Sequence, residues 1–224
     1  MVYIGNFEKY LGVTSDIPKP AIIPFDGDTK LLRLKDPTPD GGTLITKFGS
    51  THVGRPIEDT NVPTLAGRVG AGLNVYPQLD FHTMSGSALV SEAVRDLIEE
   101  LEPYTHQFFP IEVTMGKTDV PYGMYFKLMP CNRLDTMDRD NSFPINERGF
   151  YKCGFGKNAS GKQQLDRDSI GSLQPCQEKN VTLGGGMWMS ATLVEAIRDA
   201  VLTGILIHER ISETKDPAWT VLNK

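Results

Sequence analysis

Apolar positions repeat along this chain in two rhythms, and these predict where its helices and strands lie. Ala93, Val94, Leu97, Ile98 and Leu101 recur at the spacing of one helical face. Glu92, Arg95, Asp96, Glu99, Glu100 and Glu102 fill the other face. Ser91 stands where an N-cap belongs, because its hydroxyl can accept a hydrogen bond from an orphan amide of the first turn. Pro103 stops the helix. A second helix is expected over Leu193, Val194, Ile197, Ala200 and Val201, with Ser190 as its N-cap and Gly204 as its stop signal.

The strand rhythm is weaker. Lys30–Leu34, Thr43–Phe48, Phe108–Val113, Met124–Met129, Gly149–Cys153 and Ile205–Ile211 read as strands, and Met187–Met189 leads into the second helix. The breaker cluster from Asp36 to Gly42 separates the first two, and Pro18, Pro20 and Pro24 keep the segment before them extended. Gly67, Gly70 and Gly72 predict a loop. A turn around Pro121, Tyr122 and Gly123 predicts antiparallel pairing of its flanking strands. From Cys131 to Gly186 the chain is polar and irregular. The order strand, Ser, helix, strand occurs twice, near 88–113 and near 187–211. The expected fold is therefore α+β: a mixed or mostly antiparallel sheet, two main amphipathic helices and long irregular loops. Residues 1–74 are expected to be a loop- and strand-rich portion, either a sub-lobe or a completion of the main sheet, and 75–224 the principal α+β domain.

Composition narrows the class. A chain of 224 residues can bury roughly 70–75 % of its unfolded surface, so it needs no disulfide or metal staple. Apolar residues at 39 % and charged residues at 23 % are ordinary for a globular protein. Gly and Pro together make 22 + 15 = 37 residues, above the usual share of about one in eight, which favours turns and strands over long helices. No run approaches the ~20 apolar residues of a membrane helix, and the first residues lack the pattern of a signal peptide. Cys131, Cys153 and Cys176 are odd in number and widely spaced, which suits a reducing compartment. The expected location is cytoplasmic, with no membrane partner. Net charge is −5 with a pI near 5.4. Without a basic stripe, nucleic acid is not an expected partner. A mildly acidic protein is instead steered toward basic ones.

Candidate chemistry is sparse. His52, His82, His106 and His208 form no metal-binding pair at helical spacing. His82 follows Asp80 by two positions, and a structural or exposed histidine is the simpler reading. Gly184–Gly186 lacks the Gly-Lys-Ser/Thr ending of a phosphate loop, and no Gly-x-Ser-x-Gly elbow exists. Asp135, Asp138 and Asp140 with Arg139 lack the central Gly of a calcium loop and read as a solvated loop or partner contact. The expectation is thus no catalytic residue, no metal, no cofactor and no enzyme. Residues 91–102 hold five acids and one Arg, a local charge of −4, so this helix face either is merely solvated or docks a basic partner.

The stretch Leu89–Ile98, then His106–Val113, resembles a bacterial immunity family of polymorphic toxin systems. This is the eleventh immunity family, first described around a myxobacterial protein and formerly a domain of unknown function. Tyr125–Met129 with Asn132, the aspartate-rich segment from Leu134 to Ser142, and Met189–Ile207 fit the same pattern, so the resemblance spans roughly residues 75–212. Its motifs are caps, core apolars and a helix-ending Thr-Gly, and they identify no toxin-contacting residue. The resemblance implies an immunity protein that binds and neutralises a cognate toxin, encoded nearby. Charge alone offers Glu92, Asp96, Glu99 and Glu100 on the helix, and Asp135, Asp138, Arg139 and Asp140 on the loop, as its contact residues; an acidic inhibitor suits a basic toxin. Two rivals stand beside this reading. One is a phage or secretion-system assembly protein, which stable self-assembly would favour. The other is an enzyme with an unrecognised site, which a pocket lined by His82, Asp80 and a cysteine would favour.

Overall fold

The computed structural model describes residues 2–9, 21–38, 54–70, 73, 77–134, 176–178, 187–210 and 220–221. In chain order the strands are β1 (Val2–Lys9), β2 (Ala21–Pro24), β3 (Leu65–Val69), β4 (Phe81–Met84) and β5 (Ser87–Val90). Helix α1 (Glu92–Leu101) follows, then β6 (Gln107–Met115), β7 (Pro121–Met129), β8 (Asn132–Leu134) and β9 (Cys176–Glu178). The described chain closes with β10 (Met187–Ser190), α2 (Ala191–Asp199), β11 (Gly204–Arg210) and β12 (Thr220–Val221).

The strands form two sheets. One is a closed six-stranded barrel in the order β2-β3-β6-β7-β5-β4, and the other a six-stranded sheet in the order β12-β11-β1-β10-β9-β8. Pairing is mostly antiparallel, with parallel contacts of β2 with β4, β3 with β6, and β8 with β9. The expected α+β class with two amphipathic helices agrees with this, and the barrel is a more specific form than one open sheet. Barrel closure joins β2 and β3, before residue 75, to β4–β7 after it. β1 in turn lies between β10 and β11, from the far end of the chain.

Period-two alternation sorts the strand residues between two cores. On β5, Leu89 points into the barrel with Ile22, Ala66, Met84, Ile111, Val113 and Tyr125. Its neighbours Ala88 and Val90 point outward, where they meet Val94 and Ile98 of α1 and Leu193, Val194 and Ile197 of α2. The outer core also takes Phe126 and Leu128 of β7, Met189 of β10 and Ile207 of β11, so the helices lie between barrel and sheet. A third cluster joins Leu32, Leu34, Ile57 and Val62 to Met129 at the end of β7.

Several local expectations need correction. Lys30–Leu34 is no strand: only Leu34 pairs, in an isolated bridge to Ile57. Gly67 lies inside β3, not in a loop, paired with Ile23 and Thr114; the position takes glycine because a Cβ there would sit 2.4 Å from the Gly116 carbonyl and closer still to the Phe25 ring. The β6–β7 pairing is antiparallel as expected, but the turn is at 116–120, where the Met115 amide donates to the Val120 carbonyl at 2.8 Å. Pro121–Gly123 already belong to β7. Ala200 is the C-cap of α2 and Val201 is exposed, so neither extends its apolar face. Gly204 is not the cap either. It opens β11 with φ +89, where a Cβ would lie 2.4 Å from the Phe81 carbonyl. Thr43–Phe48 and Gly149–Cys153 lie outside the described residues. Among the described residues no helix is long and apolar enough to cross a membrane.

Candidate functional site

Helix α1 turns Val94 and Ile98 inward and its acids outward because the two sets sit on opposite sides of a 3.6-residue turn. Ser91 caps it, its hydroxyl accepting from the Val94 amide at 3.4 Å and donating to Asp80 at 2.9 Å. The acids of its outer face are not equivalent. Arg95 donates to Glu92 at 2.8 Å and to Asp96 at 2.6 Å, and its guanidinium stacks on the Phe126 ring 4.3 Å from the centroid. Glu92 and Asp96 therefore share a single cation that packing holds in place, which offsets only part of their charge. Glu100 is exposed and, among the described residues, has no side-chain partner.

Beyond Leu101 the chain makes a fixed turn. Glu102 caps the helix, its amide donating to the Ile98 carbonyl. Its carboxylate accepts from His106 Nε2 and from Asn132 Nδ2, both at 2.8 Å. The Cys131 amide donates to His106 Nδ1 at 3.1 Å. Nδ1 must then accept, so Nε2 carries the proton and the ring is neutral. Burial agrees, holding the His106 pKa below its usual value against the opposing pull of Glu102 and Glu99. Tyr104 crowns this turn. Its backbone adopts φ +59, its amide donates to the Glu99 carboxylate at 3.2 Å, and its side chain is 95 % exposed. The last turn of α1 carries no basic residue to oppose the helix dipole.

A second polar cluster lies inside the barrel. His82, only 1 % exposed, meets the Tyr122 hydroxyl at 3.3 Å and packs edge-on against the Tyr122 and Tyr125 rings. Arg68 lies over Tyr122, 4.6 Å from its centroid. Burial, then the Arg68 charge, lowers the His82 pKa to about 4, so the imidazole is neutral at pH 7. Tyr125 donates to the Leu79 carbonyl at 3.0 Å, and burial pushes its pKa up. Lys127 shares the interior face of β7 with Tyr125, is 0 % exposed and has no hydrogen-bond partner for Nζ; burial lowers its pKa to about 8.

Of the candidate contact residues, Glu92, Asp96, Glu99 and Glu100 are brought together on α1. Asp135, Asp138, Arg139 and Asp140 lie outside the described residues. Among the described residues no cysteine joins His82 and Asp80, and Cys153 lies outside them. Asp80 instead accepts from Ser91 Oγ at 2.9 Å and from Thr203 N and Oγ1, each at 2.8 Å, tying the start of α1 to the turn after α2. Cys131 stands beside His106, and burial raises its pKa to about 11, far from a reactive thiolate. Sequence reasoning missed Tyr104, Arg68 and Lys127. Lys127 alone left a signal, a single charge breaking the apolar run Tyr125–Met129.

No curated protein matches the chain. The family resemblance drawn over residues 75–212 holds and extends back over β3: a family model described as "Immunity protein family (Imm11)" matches residues 63–209, about two thirds of the chain, and the chain belongs to that family.

Proposed function

We propose that the chain is an immunity protein that protects its own cell by binding a cognate protein toxin in the cytoplasm, stoichiometrically and without turnover. Membership of the immunity family supports a toxin as partner. The structural observation that carries the choice of surface is the exposed acidic face of α1, which combines Glu92, Asp96, Glu99 and Glu100 on one rigid element packed against the barrel. Such a face favours a basic toxin, since complementary charge speeds encounter and excludes wrong partners. The loop from Asp135 through Asp138 and Arg139 to Asp140 is proposed as a second contact on charge alone.

The geometry refines the first surface. Arg95 offsets part of the charge of Glu92 and Asp96, so the acidic potential is stronger toward the C-terminal end of the helix, at Glu99 and Glu100. Co-expression of the tagged chain with the products of adjacent genes tests the function, through capture of a partner and a growth assay. One captured product, toxic alone and harmless with this chain, is the expected result. A clean chain that protects against no neighbouring product would reject the immunity reading for this protein.

A further inference from the structure

We propose that Tyr104 is the anchor of the toxin-binding surface, its ring docking on an arginine- or lysine-rich patch of the toxin. The inference rests on the toxin-neutralising reading and names the residue and the partner chemistry that reading leaves open. Among the described residues Tyr104 is the most exposed large apolar side chain, and no described group hydrogen-bonds or stacks with it. It contributes nothing visible to the core. Yet the turn that displays it is tied at several points. The Glu99 carboxylate holds its amide, Thr105 bonds back to Glu102 and Pro103, and the part-buried Glu102–His106–Asn132 network fixes the base of the turn.

The backbone sharpens the point. At φ +59 a tyrosine is disfavoured where glycine or asparagine would sit without strain. A turn needed only to end a helix would be better served by either. A rigid aromatic side chain that gives up little entropy on binding is the residue type that dominates interface energies. The surroundings choose the partner. Glu99, Glu100 and the unopposed carbonyl end of α1 place negative potential beside the ring. A tyrosine ring face also attracts ammonium and guanidinium groups. Ring and field favour the same occupant, a cationic protein surface.

The test uses the full chain and the toxic neighbouring product identified by the growth assay. Tyr104→Ala is expected to weaken binding by roughly 30-fold or more, chiefly through faster dissociation. Tyr104→Phe should stay within about 3-fold, because the ring face remains. Tyr104→Gly should lose binding like the alanine variant while its thermal midpoint rises by about 1–3 °C, since glycine relieves the backbone. That separation of binding from folding is not expected of a structural residue. Raising salt from about 50 to about 500 mM should slow wild-type association markedly. Binding by Tyr104→Ala within about 3-fold of wild type overturns the anchor while leaving the immunity function standing. Salt-independent association overturns the cationic partner. A wild-type dimer that Tyr104→Ala splits would make the ring a self-contact and also overturn the proposal. If the wild-type chain captures no toxic product, the toxin reading fails and the anchor with it.

Discussion

The two strand–Ser–helix–strand units of this protein begin alike and end differently. β5 leads through Ser91 into α1, and β10 leads through Ser190 into α2, with each serine hydroxyl accepting from the amide three residues on. Both helices also end just before a non-glycine residue at positive φ that faces solvent: Tyr104 at +59, and Val201 at +54 and 77 % exposed. At the end of α2 the backbone satisfies itself. The Leu202 amide donates to the Ile197 carbonyl at 3.1 Å and the Val201 amide to Arg198 at 3.0 Å, the paired bonds of a Schellman turn. Leu202 packs against the core beside Ile197, and Arg198 opposes the helix dipole. At the end of α1 side chains do the same work. Glu99, Glu102, His106 and Asn132 fix the turn, and the last turn of α1 carries no basic residue. One end is electrically finished and the other is left negative beneath an exposed ring. A helix end completed by its own backbone needs no partner, whereas one built from charged side chains retains a field that a partner can use.

The largest expected effect falls on what the two units share. Asp80 accepts one hydrogen bond from the α1 cap and two from Thr203. Asp80→Ala should cost about 2–3 kcal/mol in urea unfolding with the m-value unchanged, since charged acceptors are the strong ones. A loss below about 1 kcal/mol would mean that the two units are held together by apolar packing alone. The next effect separates the two ends by pH. Burial depresses the folded His106 pKa below 6.5. The unfolded chain therefore takes up that proton first as pH falls, and the stability it supports is present above about pH 6.5 and lost as pH drops through the folded value. Hydrogen-exchange protection of residues 99–106 should fall between neutral and mildly acidic pH, while that of 197–204 holds. Equal loss at both ends would erase the distinction. The smallest effect is Val201→Gly, which should stabilise the fold by about 0.4–1 kcal/mol by relieving positive φ and leave toxin binding unchanged. A binding defect in that variant would place the contact at the end of α2 instead.

Much of this local plan is legible in the sequence. Ser91 and Ser190 announce their helices because a cap acts within three residues, and Val94, Ile98, Leu193, Val194 and Ile197 announce their buried faces because helical spacing is a local property. The family resemblance rests on the same features. The candidate acids of α1 were readable as charges, but not their inequality. That depends on Phe126 of β7 holding Arg95, and Asn132 fastening Glu102, each some thirty residues away in the chain.

By itself, then, the sequence determined the two capped helices, their inward faces, the β6–β7 pairing and the family, because each depends on neighbours within a few residues or on one short hairpin. Only the tertiary structure decided that the strands close into a barrel, since β2 must find β4 in parallel across some sixty residues and no local rhythm encodes that register. It alone decided that Lys127 is sealed inside that barrel. It alone also decided that Tyr104 stands clear of the surface, because exposure is set by what packs nearby and not by the residue's own sequence neighbours.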